Sequence, residues 1–450
     1  MTSPPVVQYA SRTDVGMRRA ANQDSLAVRL CTDYPEWAQC GHLFVVADGM
    51  GGHAVGDLAS RIAVDTLPHA YSKSLSKTIE QRLRESIAAA NKAINDRGRE
   101  NREFEGMGTT CSVLSLSERG AIIGHVGDSR IYRVRQGVIE QLTFDHSLQW
   151  EMIRLGRATA ENVELFHPRN VITRCLGPDL SVQVDVEGPF PVAAGDRFLL
   201  CSDGLTNHVT DSEIGQILNS LPATDASRLL INLANCRGGS DNSTVIVVAV
   251  DSYPAPQIEI GQLDGKSTPN VDPVVIQRKG RRLWASLLSI VAVMLLLGGI
   301  GLALIDQKPN AAILIGASFI AWLLGRRVLP DPEPPSPADG MESGPVVTRT
   351  EAAQNELSGS SRSSFFPVSP YRVVEAVLGE RLLIHLAEVQ SELVQAARES
   401  GWKVDLNELA ALGRQAIQNQ QNGRMDRALK ARAKAIDILM RELDQRSRMA

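Results

Sequence analysis

The sequence predicts an α+β fold for about the first 250 residues and a mainly helical region at the C-terminal end. In the first region, short strand-like apolar runs are interrupted by helical stretches such as Ala54–Ala70 and Ile79–Asp96. Between the two regions lies Leu283–Ile305, an apolar run without a charged residue. From Tyr371 onward, apolar residues recur at helical spacing. These observations predict a folded α+β domain, a membrane segment and a group of helices.

The composition is that of a globular protein and excludes several classes. Of the 450 residues, 22% are charged and 43% are hydrophobic, which argues against a disordered or fibrous chain. Lys and Arg total 47 against 51 Asp and Glu, and this balance predicts no nucleic-acid partner. The six cysteines contain no Cys-x-x-Cys pair and predict buried free thiols in a reducing compartment. No secretory signal is visible in the first residues, MTSPPVVQYASRTD.

The run Leu283–Ile305 is the first candidate membrane span. Its 23 uncharged residues, at about 1.5 Å per residue, are enough to cross a hydrocarbon core of about 30 Å. A second run, Ala311–Leu324, is shorter, and Val328 and Leu329 extend it if the neighbouring arginines snorkel. The positive-inside rule predicts a two-span hairpin in the cytoplasmic membrane with both flanks in the cytoplasm, and one span plus an interfacial segment is the alternative. The basic residues that flank the two runs are Arg278, Lys279, Arg281, Arg282, Arg326 and Arg327.

These runs divide the chain into five segments. Residues 251–277 contain Ser-Tyr-Pro-Ala-Pro, and residues 330–370 contain PDPEPPSP and SGSSRSS, which are compositions typical of linkers. In the last segment Asp405 is a candidate cap for a helix that begins near Leu406, and no catalytic constellation is visible. The predicted segments are a main soluble domain (1–250), a linker (251–282), a transmembrane hairpin (283–329), a disordered linker (330–370) and a small helical domain (371–450).

Acidic residues stand at the ends of strand-like runs in the main domain. A carboxylate at a strand end is held by a rigid element, and a following Gly lets main-chain carbonyls approach a ligand. One Asp-Gly pair by itself indicates a turn, but several such carboxylates with an upstream arginine predict an all-oxygen site. Oxygen ligands suit Mg²⁺ or Mn²⁺ and not Zn²⁺. The residues concerned are Asp48-Gly49, Gly127-Asp128, Asp203-Gly204 and Asp241-Asn242, with Arg19 and Asp24 upstream.

A series of ordered motifs covers about residues 8–250, a little over half of the chain. They are Asp14-x-Gly16…Arg19-x-x-Asn22-x-Asp24, Val46-Ala-Asp-Gly-Met-Gly-Gly-His53, Gly106-Met-Gly-Thr-Thr110, Gly127-Asp-Ser-Arg130, Asp145-His-Ser147, Ile172-Thr-Arg-Cys-Leu-Gly177, Cys201-Ser-Asp-Gly-Leu205 and Asp241-Asn242. Taken in order, they resemble the protein phosphatase 2C family, the metal-dependent Ser/Thr phosphatases, in its bacterial form. Their number and order make the resemblance specific.

The resemblance implies a fold and a reaction. The fold is a four-layer α-β-β-α sandwich, in which two antiparallel sheets pack face to face and helices flank them. This agrees with the short strands and interrupting helices of the sequence. The reaction is hydrolysis of phosphoserine and phosphothreonine in proteins by a metal-bridged hydroxide at a binuclear Mn²⁺ or Mg²⁺ site, with a weaker third metal site in bacterial members. Such an enzyme at the membrane would act on phosphorylated proteins and oppose a cognate Ser/Thr kinase.

The metal ligands of the family are carried over by motif. Asp48 would bridge two metal ions, and the carbonyl of Gly49 would bind one of them. Asp203 and Asp241 would hold the other ion, and these three aspartates form the implied catalytic set. Asp24 matches an acidic residue that acts through metal-bound water.

Two further residues complete the implied site. Asp128, with Asp203, matches the weaker third metal site. Arg19 matches the arginine that holds the substrate phosphate, which a planar fork of donors does well. Arg18 is adjacent to it, and the register to Asp24 favours Arg19. The sequence departs from the family at Gln23, where Glu is usual.

Other residues near these motifs receive smaller roles. Asp57 replaces a family Glu and is predicted to lie behind the ligands, and Thr109 and Thr110 are predicted to orient backbone near the site. His53 is a candidate general acid, but eukaryotic-type members place that histidine where this chain has Met50, which favours a structural role. His125 is predicted to be a core histidine, and His146 and His167 fall in the segment that matches the family's mobile flap.

Three functional hypotheses follow from the sequence. The leading one is a membrane-anchored metal-dependent protein phosphatase. The second is an inactive phosphatase-like module that binds phosphoproteins or acts as a membrane scaffold, and the retained Asp48, Asp203 and Asp241 argue against it. The third, a pore or transporter, is disfavoured because the two apolar runs offer no polar pathway residues.

Overall fold

The computed structural model describes residues 4–51, 55–73, 77–159, 163, 168, 171–254 and 369–447. The predicted transmembrane hairpin lies outside these residues, as do most of the first predicted linker and nearly all of the second. The hairpin and the two linkers therefore stay predictions. None of the helices in the described ranges combines the length and the apolar character that a membrane crossing needs. All six cysteines are free, as the sequence predicts.

Two antiparallel sheets form the centre of the molecule. The first sheet consists of β1 (Val6–Asp14), β7 (Arg130–Arg135), β8 (Val138–Gln141), β10 (Arg197–Cys201), β11 (Ser243–Ser252) and β12 (Arg372–Glu375). The second consists of β2 (Asp24–Arg29), β3 (His42–Met50), β4 (Gly108–Thr109), β5 (Cys111–Ser117), β6 (Gly120–Val126) and β9 (Asp185–Phe190). The order in the first sheet is β1-β11-β10-β7-β8-β12, and in the second it is β2-β3-β5-β6-β9, with β4 paired to the end of β3.

Helices cover the outer faces of both sheets. In the described ranges the helices are α1 (Tyr34–Cys40), α2 (Val55–Lys73), α3 (Ile79–Glu100), α4 (Leu148–Arg154), α5 (Asp203–Thr206), α6 (Asp211–Ser220), α7 (Ala223–Cys236), α8 (Glu380–Glu399), α9 (Leu406–Gln421) and α10 (Met425–Ser447). The two long helices predicted by the sequence are confirmed as α2 and α3, and each extends a few residues further than predicted. A capping box between Thr78 and Gln81 starts α3, and Asp405 caps α9 as predicted.

The layers follow from side chains that alternate along the central strands. In β3, Leu43 and Val45 belong to the core beneath α2 and α3, whereas Phe44 and Val46 belong to the core between the sheets. Strand β11 alternates in the same way between the inter-sheet core and the core beneath α6 and α7. Successive strand residues point to opposite faces, so a strand that is apolar throughout must be covered on both sides. The predicted arrangement of two sheets flanked by helices is confirmed.

The C-terminal region is built into this fold. The sequence predicts only helices from Tyr371, whereas the structure begins this region with β12, which pairs with β8 along the edge of the first sheet. Helices α8 and α10 then contribute Leu386 and Leu429 to the core beneath the first sheet. The described residues of 369–447 and of 4–254 belong to one compact unit and share a core. The sequence predicts a main domain and a small helical domain but not this shared core.

Candidate active site

Asp24 and Asp48 face each other across the pair β2 and β3. They are cross-strand partners in the register, at the end where β2 begins and β3 finishes. Asp24 is buried, and its Oδ2 accepts a hydrogen bond of 2.7 Å from Ser202 Oγ. The second-sheet pairing therefore places two of the predicted carboxylates side by side.

The backbone of Asp48 is fixed by two threonines. The amide of Asp48 donates to Thr110 Oγ1 at 2.9 Å, and its carbonyl accepts from the Thr110 amide at 2.8 Å and from Thr109 Oγ1 at 2.9 Å. The prediction that Thr109 and Thr110 orient backbone near the site is confirmed. At the next residue, Gly49, a Cβ would lie 2.1 Å from the carbonyl oxygen of Gly56, so no larger residue fits.

Asp203 and Asp241 come from the first sheet. Asp203 is the first residue of α5, and Ser202 alone separates it from the end of β10. Its Oδ2 accepts a hydrogen bond of 3.1 Å from Asn207 Nδ2. Asp241 lies just before β11, and its Oδ1 accepts from the amide of Asn242 at 2.9 Å. The two strands are neighbours in the sheet, which brings the ends that carry these carboxylates together.

Arg19 reaches the cluster from the loop after β1. Its Nη2 lies 2.7 Å from Asp241 Oδ2, and its Nε donates to the carbonyl of Ser240 at 3.3 Å. The loop approaches Asp241 closely at Gly16, whose φ is +78° and where a Cβ would lie 2.3 Å from the Asp241 carbonyl oxygen. The side chain of Arg19 is 47% exposed, so it remains accessible to a ligand. Arg18 is also exposed.

Asn242 ties this loop to the strand that follows Asp241. Its Nδ2 donates to the carbonyls of Val15 and Ala21 at 2.8 and 3.0 Å, and its Oδ1 accepts from the amide of Gln23 at 2.8 Å. The motif Asp241-Asn242 does not by itself predict a role for Asn242. The same is true of Ser202, although it stands beside Asp203 in the sequence. Both are polar residues directly adjacent to a predicted ligand, and that adjacency is the signal that could have found them.

Asp128 lies in the turn between β6 and β7. Its Oδ1 is buried and has no hydrogen-bond partner within the described residues. The turn is held by His146, whose Nδ1 accepts from the amide of Gly127 at 3.0 Å and whose Nε2 lies 2.8 Å from Asp185 Oδ2. Ser129 anchors its other side, because its Oγ lies 2.7 Å from Thr110 Oγ1.

Crowding of these carboxylates shifts their pKa values upward. Burial, followed by the charges of Asp24 and Asp203, raises the pKa of Asp48 well above its usual range. Burial raises the pKa of Asp24 to about 7, against the opposing hydrogen bonds of Thr244 and Ser202. Burial and the neighbouring charge of Asp203 raise the pKa of Asp128 as well. The cluster is therefore a concentration of negative charge that the protein compensates only in part.

The donor set fits hard divalent cations. Among the residues that the structure describes, no group of three or more His, Cys, Asp or Glu side chains is arranged to hold a metal ion as it stands. One contact occupies an oxygen that a cation would take, namely the ion pair of Arg19 Nη2 with Asp241 Oδ2 at 2.7 Å. The Oδ1 atoms of Asp24 and Asp128 are buried without a partner in the described part of the chain. A cluster made only of carboxylates, with orphaned oxygens, suits Mg²⁺ or Mn²⁺.

The remaining predicted residues lie around this cluster or outside the described residues. His125 is a buried core histidine as predicted, with Ser112 Oγ and the Phe144 carbonyl each 2.9 Å from its ring nitrogens. His146 is fully buried and positions the turn of Asp128 instead of facing solvent. Asp57 pairs with Arg61 on α2 at 2.5 Å. His53 and His167 lie outside the described residues.

The sequence and the structure are similar to known phosphatases. A family profile described as "Protein phosphatase 2C" matches residues 17–236. Protein phosphatase PhpP of Streptococcus pneumoniae serotype 2 is 38% identical over 248 residues, which cover 54% of this chain and 97% of that protein. The serine/threonine phosphatase stp of Listeria monocytogenes serovar 1/2a is 38% identical over 246 residues, which cover 53% and 94%.

Solved structures show similarity over the same share of the chain. The serine/threonine phosphatase PstP/Ppp of Mycobacterium tuberculosis is 33% identical with a TM-score of 0.48, covering 54% of this chain and 99% of that one. The catalytic domain of PstP in complex with two manganese ions is 33% identical with a TM-score of 0.46. The match covers 54% of this chain and 98% of that one. The family match ends at residue 236 and so does not include the C-terminal region.

Proposed function

The chain belongs to the protein phosphatase 2C family of Ser/Thr phosphatases, and from this premise we propose that it hydrolyses phosphoserine and phosphothreonine in proteins with the help of two Mn²⁺ or Mg²⁺ ions. One observation carries the proposal: five aspartates from both sheets meet at one place, and Arg19 contacts one of them. The related PstP catalytic domain was solved with two manganese ions, which supports the choice of metal.

The ions would be held by the carboxylates of Asp48, Asp203 and Asp241 and by the Gly49 carbonyl. Asp24 would support them from behind, and Asp128 with Asp203 would provide a weaker third position. When bound, a pair of such ions lowers the pKa of water and neutralises charge on a phosphate. The Oδ1 atoms of Asp24 and Asp128, which are buried and have no partner among the described residues, support this assignment, because a buried carboxylate oxygen without a donor is costly unless a cation compensates it.

Arg19 would bind the substrate phosphate. Its guanidinium is about half exposed and already bonded to a carboxylate oxygen at 2.7 Å, so it is placed to exchange that oxygen for a phosphate oxygen. Asn242 and Gly16 hold the loop that carries Arg19 against Asp241. Cys111 and Cys201 are poor candidates for a nucleophile, because burial raises the pKa of each thiol and so disfavours the thiolate.

The inactive-module hypothesis receives no support from the site. An inactive member that had lost a metal-binding residue would lack one of the aspartates of the cluster, yet each of the implied aspartates is present. The mutual charge of Asp24, Asp48 and Asp203 is also costly for stability, and a pure scaffold has no reason to retain it.

The test is hydrolysis of a phosphothreonine peptide by the full chain. We expect activity with Mn²⁺, loss of activity with excess chelator, recovery when Mn²⁺ is restored, and at least a hundredfold loss in Asp48→Asn. Asp65→Asn, on the exposed side of α2, is the matched control and should keep full activity. Activity that is indifferent to chelator and to Asp48→Asn would refute the proposal.

The proposal includes a place in the cell, which rests on sequence alone. The apolar runs Leu283–Ile305 and Ala311–Leu324 would anchor the chain in the cytoplasmic membrane with the catalytic domain in the cytoplasm, where it would oppose a Ser/Thr kinase. Fractionation of cells that express the full chain or a chain without residues 283–329 tests the anchor. Recovery of the full chain in the soluble fraction would contradict it.

A further inference from the structure

A groove runs from the candidate active site along α10. It begins as a pocket of about 420 Å³ that Arg19 and Asp14 line on one side and Met440 and Arg441 of α10 line on the other. A second pocket, of about 490 Å³, continues between α7, α9 and α10. The two pockets share Arg228, Asp437 and Arg441 and therefore lie side by side along α10. We call the two pockets together the α10 groove.

The α10 groove is basic, although the whole chain carries a net charge of −4. Its two pockets are lined by seven Arg or Lys side chains and four Asp side chains. Along α10, Arg427, Lys430, Lys434 and Arg441 recur at intervals of three, four and seven residues, which places them on one face of the helix. The groove therefore concentrates positive charge beside a site that would bind phosphate.

Two of the four acidic side chains of the groove, Asp14 and Asp437, are held in contacts within the protein. Asp14 Oδ1 accepts from the Gly16 amide at 2.9 Å and from Asn235 Nδ2 at 3.0 Å. Asp437 is shared between Arg441, with which it forms an ion pair, and Arg228, whose Nη1 lies 3.9 Å away. One carboxylate thus serves two guanidinium groups.

Several cations of the groove remain available. Arg12 and Arg427 form neither an ion pair nor a hydrogen bond through their side chains within the part of the chain that the structure describes. Burial, followed by the charge of Arg228, lowers the pKa of Arg12 against the opposing charges of Asp437 and Asp14. Arg228 Nε is buried without a partner among the described residues. Lys430 lies 3.8 Å from Asp225, a loose pair that an incoming anion can replace.

We propose that the α10 groove binds acidic residues that flank the phosphorylated residue of a protein substrate, so that the C-terminal region is part of the substrate site. This inference rests on the proposed phosphatase function. Arg19 connects the two, because it lines the first pocket and also contacts Asp241. From Arg427 to Arg441 the helix spans about 21 Å, which matches roughly six residues of an extended peptide.

The concave shape of the α10 groove favours an extended peptide over a membrane surface as its partner. A concave site between three helices admits an extended chain, whereas a bilayer surface would meet only its rim. Helix α10 also lies beyond the family match, which ends at residue 236, so the preference would be a property of this chain and not of the family in general.

The experiment compares three substrates with the full chain in detergent and Mn²⁺. They are p-nitrophenyl phosphate, a phosphothreonine peptide with neutral flanks, and the same peptide with Asp and Glu on both sides. The variant is Arg427→Glu with Lys430→Glu, and the control is Arg381→Glu with Arg398→Glu, which changes the charge equally at exposed positions of α8. For the native chain we expect kcat/KM to be about tenfold higher for the acidic peptide than for the neutral one. This preference should be smaller at high salt.

In the groove variant this preference should disappear, with less than a twofold change for p-nitrophenyl phosphate and the neutral peptide, and the control should keep it. Equal rates on both peptides in the native chain, or the same loss in the control, would overturn the proposal. A second result would also overturn the proposal: activity in reconstituted vesicles that depends on phosphatidylserine and on Arg427 and Lys430, but not on the residues that flank the phosphothreonine. That result would assign the groove to membrane binding. If the native chain hydrolyses none of the three substrates, the phosphatase function fails, and fluorescence anisotropy with the two peptides still decides the groove.

Discussion

Nη2 of Arg19 lies 2.7 Å from Oδ2 of Asp241, so the residue assigned to the substrate phosphate touches a residue assigned to a metal ion. The loop after β1 and the segment before β11 are 222 residues apart in sequence at this contact. They meet because β1 and β11 are neighbours in the first sheet, with Asp14 opposite Ser243. The residues proposed to bind phosphate and metal are therefore in direct contact.

Replacement of Arg19 tests its role directly. We expect Arg19→Ala to lower kcat/KM for a phosphothreonine peptide about 10- to 100-fold, since a charge-assisted hydrogen bond contributes about 1.5–3 kcal/mol. Arg18→Ala is the control, because Arg18 is exposed and no ion pair or hydrogen bond of its side chain is found within the described residues. Steady-state kinetics of both variants measure the effect, and equal losses in the two would contradict the assignment.

Asp48 is expected to cost stability when no metal is bound. Its pKa is raised by burial and by the charges of its neighbours, so Asp48→Asn should stabilise the metal-free protein by about 1–3 kcal/mol. The same change should remove the rise in Tm that Mn²⁺ gives to the native chain. Thermal unfolding with and without Mn²⁺ measures both effects. Asp65→Asn should change neither, and a destabilised Asp48→Asn would argue against charge crowding at this position.

Asn242 is predicted to be a positioning residue for the Arg19 loop. Asn242→Asp keeps an acceptor for the Gln23 amide but loses the bonds to the Val15 and Ala21 carbonyls. We expect a loss of about 1–3 kcal/mol in the free energy of unfolding and a higher KM for the peptide. Urea unfolding and kinetics check this, with the exposed Asn407→Asp as the control. A higher KM is the readout that distinguishes loop positioning from a purely structural role, and an unchanged KM would exclude positioning.

His125 should make stability depend on pH below neutrality. Burial, followed by the charge of His146, lowers its pKa to about 3 in the folded protein. The unfolded chain binds this proton at a pKa of about 6.5, so stability is full above pH 6.5 and falls as the pH is lowered toward 3. At pH 5.5 the loss from this group is about 1.4 kcal/mol.

Comparison of the native chain with a His125 variant separates His125 from Asp24, Asp48 and Asp128, whose raised pKa values change stability with pH in the opposite direction. Urea unfolding measures the free energy of unfolding at pH 7.5 and at pH 5.5. The decrease in this free energy between the two pH values should be smaller for His125→Gln than for the native chain. His69→Gln, at an exposed position, should keep the native decrease. Identical decreases in all three proteins would show that His125 is not the responsible group.

The C-terminal helices should unfold together with the catalytic core. Leu386 of α8 is fully buried in the core beneath the first sheet, whereas Ile384, two residues earlier, is 53% exposed. We expect Leu386→Ala to cost about 2–5 kcal/mol and Ile384→Ala to cost little. Thermal unfolding and loss of activity should shift together in Leu386→Ala. A second, separate transition would indicate that the C-terminal helices are an independent domain.

Local patterns predicted much of the main domain. The apolar run of β3 and the carboxylate that ends it are visible in the sequence because a strand covered on both faces must be apolar throughout. Helices α2 and α3 were predictable from amphipathic spacing, and α9 from the cap at Asp405. Each of these signals comes from residues within about one element of one another.

The roles of Ser202 and Asn242 were not predictable in this way. Ser202 donates to Asp24, 178 residues away, and Asn242 bonds to carbonyls 221 and 227 residues away. A polar residue beside a predicted ligand marks a candidate, but only the sheet register decides what it contacts. His146 is similar: its motif position indicated the flap segment, and its burial against Gly127 and Asp185 depends on the packing of β9.

By itself, the sequence determined the family, the carboxylates and arginine of the candidate site and the apolar runs, because each is written in residue types at fixed spacing. Only the tertiary structure decided that the C-terminal region completes the first sheet. Tyr371 packs its ring 5.4 Å from that of Phe144, and β12 pairs with β8, more than 200 residues earlier. An edge strand of four residues has almost no periodicity of its own, and its stability comes from partners that the chain reaches only after folding.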